Sequence, residues 1–121
     1  MNIEKVDYKY QLKSDVKQFT DITGYCVISD WFTLSQTGEL TLKKGYCWNG
    51  ATGAFDTHDF LIPSAVHDAL YQMIKLKLLP ESTRLKADQL LRKMCKKRGM
   101  SAFRAQYVYL AVRIFGSKFA R

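Results

Sequence analysis

Cysteine is scarce in this chain and follows no metal-binding spacing. Cys26, Cys47 and Cys95 are odd in number and none forms a CxxC pair. Neither a disulfide framework nor a zinc site is expected, and each thiol reads as a small buried hydrophobe. A Cys26–Cys47 bridge would need an oxidising setting. Proline occurs only at Pro63 and Pro80, and no repeat or low-complexity segment is present. No apolar run approaches the roughly 20 residues of a membrane span. Met1 to Tyr8 shows neither an apolar run nor a small-residue cleavage site, so no secretory signal is read there.

What is present is an ordinary globular composition, 47% hydrophobic and 25% charged over 121 residues. That length fits a single domain spanning 1–121, with a real core. The net charge of +8 is unevenly distributed. Residues 1–74 carry 6 basic and 9 acidic side chains, whereas residues 75–121 carry 13 basic and 2 acidic. The second half is therefore a cationic face suited to phosphates of lipid or nucleic acid, or simply a solvated basic surface.

The fold class read from the pattern is α+β, with a small antiparallel sheet first and three helices second. Val6, Tyr8, Tyr10 and Leu12 alternate with polar residues, as in a half-buried strand. Phe19 to Ile22 and Tyr25 to Ile28 are further short strands. Trp31–Leu34 and Glu39–Leu42 flank Ser35-Gln-Thr-Gly38, whose closing glycine suits a hairpin turn. Gly45 to Gly53 holds three glycines in nine residues and reads as an irregular loop closing the β-rich part, residues 1–62.

The helical part, residues 63–121, opens near Pro63, because proline costs least in a first turn. This helix buries Val66, Ala69, Leu70 and Met73 and frays before Pro80. A second helix, about Ser82 to Arg98, is stopped by Gly99. A third begins after Ser101 and carries Phe103, Tyr107, Leu110 and Ile114 on one stripe, read as core packing.

His67 and Tyr71 are four residues apart on the first helix and share a face, with Asp68 one position round. On the second helix Asp88 lies in the apolar stripe with Leu85, Leu91 and Cys95, where a charge is costly unless paired. If the two helices are antiparallel neighbours, His67 and Tyr71 are its natural partners. An Asp that fixes one nitrogen of a His leaves the other free for a water, which is the general-base arrangement. The same spacing also fits a buried polar network that locks two helices, with Arg84 as counter-charge. His58-Asp59 repeats the His-Asp pair and reads as a loop pair without a role. Asn49 and Thr52 either supply oxygen ligands or satisfy a turn.

His67-Asp-Ala-Leu-Tyr71, followed by Arg84, Asp88 and Tyr109-Leu-Ala-Val-Arg-Ile-Phe-Gly116, resembles the small secreted bacterial phospholipases A2. Residues 20–116 more closely resemble a family of phage and prophage proteins that is catalogued as a domain of unknown function. That family has a sheet, a glycine-containing loop, a proline and a His-Asp-x-Leu-Tyr helix in the same order. The phospholipase resemblance implies His67 as the base, oriented by Asp88 and supported by Tyr71 and Arg84. It also implies calcium held by Asp68 with loop oxygens near Asn49 and Gly50. Asn49 stands where both families usually carry aspartate, which implies weaker calcium binding. The phage resemblance implies a protein made in the cytoplasm of an infected cell, or one carried in a virion.

Two functions follow from different classes. One is calcium-assisted hydrolysis of a phospholipid or related ester at an anionic lipid surface. The other is a non-catalytic accessory or virion protein that binds a host protein, a virion component or nucleic acid through the basic half.

Overall fold

Strand alternation and glycine turns build the amino-terminal half, and apolar helical stripes build the rest. A computed structural model describes residues 10–48 and 58–117. Among these, six strands precede three α-helices: β1 Tyr10–Gln11, β2 Val16–Phe19, β3 Val27–Ile28, β4 Phe32–Leu34, β5 Glu39–Leu42, β6 Cys47–Trp48, α1 His58–Lys75, α2 Arg84–Lys97 and α3 Ala102–Phe115. This is the α+β order read from the sequence. No helix among the described residues is long and apolar enough to cross a membrane.

β2, β5, β4 and β3 form one antiparallel sheet in that order, and β1 pairs with β6 in a separate two-stranded ribbon. The β4–β5 hairpin lies where alternation and Gly38 put it, with Thr33 opposite Thr41. Gly38 has φ +95°, and a Cβ there would stand 2.7 Å from the carbonyl oxygen of Thr20, so both the turn and its neighbour require glycine. Phe32, Leu34, Leu40 and Leu42 point inward and are buried.

Two β readings change. The second strand is Val16–Phe19, with Phe19 pointing to solvent, while Ile22 is buried beyond its end. Cys47–Trp48, expected inside an irregular loop, is a strand held by β1. The proposed start of the first strand at Val6 lies outside the described residues, as do Thr52 and most of the glycine loop. The thiols divide as well: Cys95 is buried, but Cys26 is exposed and Cys47 only partly covered, and all three are free. The exposed Cys26 therefore contradicts its reading as a buried hydrophobe.

α1 begins at His58, not at Pro63, which sits inside the helix. Proline's fixed φ is helical, so its penalty is the missing N–H bond to the carbonyl four residues earlier and the crowding of that carbonyl. Nearby, the Ser64 hydroxyl donates to Leu61 O at 2.7 Å and accepts from Trp48 Nε1 at 2.9 Å, fastening β6 to the helix. Ala65, Val66, Ala69, Leu70 and Met73 then face the sheet core, which α1 covers together with part of α2.

A single 3-10 turn, Glu81–Thr83, leads into α2. Gly99, with φ +106°, ends α2 in a Schellman motif: Gly99 N bonds Lys96 O and Met100 N bonds Cys95 O. Ser101 then caps α3 by accepting from Arg104 N at 3.2 Å. α3 packs on α2 through a second core of Phe60, Leu91, Cys95, Met100 and Ala105, with Val108 and Val112 at its edge. The predicted core stripe is therefore reversed. Phe103, Tyr107, Leu110 and Ile114 are exposed. Small residues allow the close α2–α3 approach, and the large ones are left outside.

Candidate functional site

The site is assembled around a carboxylate placed where water does not reach. Asp88 projects from the buried stripe of α2 and is 0% exposed. A buried charge is tolerated only when its lone pairs are filled, and here each oxygen has partners from a different element. Oδ1 lies 2.7 Å from His67 Nε2 and accepts from the Tyr71 hydroxyl at 2.6 Å, both on α1. Oδ2 accepts from Arg113 Nη1 of α3 at 2.8 Å, with Arg84 Nη1 at 3.5 Å. One carboxylate thus ties all three helices together.

Burial alone would raise the Asp88 pKa, but the hydrogen bonds from His67 and Tyr71, the charge at His67 and the Arg113 bond more than offset it. The carboxyl is held below the usual range and stays ionised at neutral pH. An ionised carboxylate can only accept, so His67 Nε2 carries the proton and donates. In the neutral imidazole this leaves the lone pair on Nδ1. His67 itself is 7% exposed. Tyr71 is pushed well above the usual phenol range by burial and by its bond to Asp88, so it remains a donor. Its ring lies 4.1 Å from the His67 ring, centroid to centroid, and keeps the imidazole in place.

Arg84 does more than counter the charge. Its Nη1 donates to Tyr71 Oη at 3.3 Å and to Val112 O at 3.2 Å, near the carboxyl end of α3. The structure thus brings together His67, Tyr71, Arg84 and Asp88, all singled out in the sequence, and adds two residues. Arg113 stands in the sequence only as one member of the run from Tyr109 to Gly116. Its signal was charge bookkeeping: Asp88 is the only acidic residue of α2 and α3, so a guanidinium covered between those two helices has that carboxylate as its counter-charge. Gly116 is the second. A Cβ there would meet the Tyr71 hydroxyl and ring, so α3 can pass this point only as glycine.

Asp68, one position round α1 from His67, is partly buried, and burial pushes its carboxyl up to about 6 despite the nearby His67. It makes no hydrogen bond or ion pair with another described residue. No group of three or more His, Cys, Asp or Glu side chains able to hold a metal occurs among the described residues. Asn49 and Gly50, the expected loop ligands, lie outside them. Asp59, of the second His-Asp pair, is on α1 and faces Arg104 of α3 at 3.8 Å.

Residues 55–112 match a family described as a protein of unknown function, DUF1353. The match spans all of α1 and α2 and most of α3, and it contains His67, Asp68, Tyr71, Arg84 and Asp88, while Arg113 and Gly116 lie just beyond it. No curated protein and no solved structure matches the chain.

Proposed function

We propose that this chain is a phage- or prophage-encoded, phospholipase A2-like ester hydrolase with His67 as its general base. The observation that carries this reading is the 2.7 Å contact between His67 Nε2 and a fully buried, ionised Asp88. That contact fixes the tautomer, so Nδ1 can take a proton from water as the water oxygen attacks an ester carbonyl. The imidazolium formed is stabilised by Asp88, and its Nδ1 proton then passes to the leaving alkoxide as the ester C–O bond breaks. Tyr71, Arg84 and Arg113 take no proton in this scheme; they hold Asp88 in place.

Calcium, when bound, supplies a Lewis acid for the charge that develops on the carbonyl oxygen. Asp68 is suited to hold it, being a partly buried carboxylate with no cationic partner among the described residues. Asn49 and Gly50 remain part of the proposal as further oxygen ligands.

The test is fatty-acid release from phosphatidylglycerol vesicles by the full chain, with calcium and with chelator. Release that requires calcium, and that falls in Asp68→Asn, is expected. No release under either condition overturns the enzyme reading. Equal release under both, unchanged in Asp68→Asn, overturns the metal assignment.

A second reading is a non-catalytic accessory or virion protein that binds a host protein, a virion component or nucleic acid through its helical half. One observation favours it: Asp88 is the only acidic residue of α2 and α3, and it is buried, so their exposed surface is cationic and apolar.

A further inference from the structure

α3 is apolar on two opposite faces, and among the described residues only one of them has a neighbour. Ala105, Val108 and Val112 pack into the core shared with α1 and α2. On the far side Phe103, Tyr107, Leu110 and Ile114 follow one another at intervals of four, three and four residues. That is the 3.5-residue repeat of a coiled-coil seam, narrower than the broad stripe of an ordinary amphipathic helix. These side chains are exposed at 85%, 66%, 47% and 67%, respectively. Along about 17 Å of helix they form a continuous line of large apolar groups facing water.

The surroundings define the charge of the occupant. The positions that flank a seam of this register are Arg104, Gln106, Ala111 and Arg113, with no acidic residue among them. Arg92 of α2 lies along the Gln106 edge, donating to Gln106 Oε1 at 3.0 Å and sitting 4.0 Å over the Tyr109 ring. Lys93, Lys96, Lys97 and Arg98 continue the exposed cationic surface of α2. Arg104 and Arg113 are engaged by Asp59 and Asp88, so the lysines and Arg98 carry much of this field.

We propose that the outer face of α3 docks an amphipathic helix with acidic flanks, presented by a partner protein. Apolar knobs of that helix enter between Phe103, Tyr107, Leu110 and Ile114, and its acidic flanks meet the basic rim. A second copy of this chain would bring another acid-free basic rim against the first. A bilayer has no use for a 3.5-residue register. The inference is independent of whether His67 is catalytic.

The probe is a fluorescent designed peptide of about four heptads, with Leu and Ile on its seam and Glu on both flanks, set against a counterpart with Lys on both flanks. Anisotropy should show saturable binding of the acidic peptide that weakens with salt. The Lys peptide, and the Leu110→Glu/Ile114→Glu variant of the full chain, should each bind at least about tenfold more weakly. Those two residues are exposed, so the variant should unfold at the parent midpoint; if it does not, Tyr107→Glu replaces it. Equal binding of both peptides, or full binding by a folded variant, overturns the proposal. So does seam-dependent capture of phosphatidylglycerol vesicles or single-stranded DNA without peptide binding, or seam-dependent dimerisation of the chain alone.

Discussion

Two carboxylates on adjoining helices have opposite electrostatic characters, and each gives a distinct prediction. Asp88 is depressed below the unfolded value near 3.9, so its stabilising contribution is present above that value and is lost as pH falls through the folded pKa. Asp88→Asn leaves Arg84 and Arg113 without their shared counter-charge and should cost about 3–5 kcal/mol in urea unfolding at pH 7. A cost below about 1 kcal/mol would show that the network is not holding the helices. Asp68 is raised to about 6 by burial. Between roughly pH 4 and 6 the folded chain binds more protons there than the unfolded chain, so stability falls as pH rises across that window. Asp68→Asn should remove this slope and stabilise the calcium-free protein at pH 7 by on the order of 1–2 kcal/mol. Destabilisation instead would mean that the carboxylate has a partner in the fold.

At the scale of elements, legibility depended on how local each determinant was. The β4–β5 hairpin, the Gly99 stop and the Ser101 cap are set within a few residues and could be read directly. The stripe of α3 could not, because periodicity reports that a face is apolar and not which neighbour covers it. Close packing against α2 selected Ala105, Val108 and Val112, and bulk alone had pointed to the wrong face. The α1 start was misplaced for a related reason: the φ of Pro63 suits any helical position, and the cost of one lost bond did not end the helix. In the site, His67, Tyr71 and Asp88 were legible because a carboxylate in an apolar stripe demands partners, whereas Gly116 needed the third helix in place. Gly116→Ala drives a methyl group into Tyr71 and should destabilise by about 1–3 kcal/mol, measured by thermal unfolding. A neutral result would mean that α3 shifts without disturbing the Tyr71 bond to Asp88.

Across the whole molecule, the sheet half is the platform and the helical half holds the buried His67–Asp88 network and the basic charge. Trp48 Nε1 to Ser64 Oγ and Lys86 Nζ to Asp21 O, at 2.9 and 3.1 Å, join the two. Basic side chains outnumber acidic ones 13 to 2 beyond residue 74, and Asp88 is withdrawn into the interior. Function on this account is divided between a buried polar centre and an apolar, cationic outer surface. The account stands or falls at that centre, where His67 is either a base or only a strut between helices. The decisive measurement is hydrolysis of phosphatidylglycerol vesicles by His67→Gln, whose amide nitrogen reaches the position of Nε2 and can still donate to Asp88. We predict a folded protein whose rate falls by at least about 100-fold from the parent. A folded His67→Gln chain that hydrolyses at the parent rate would contradict the account.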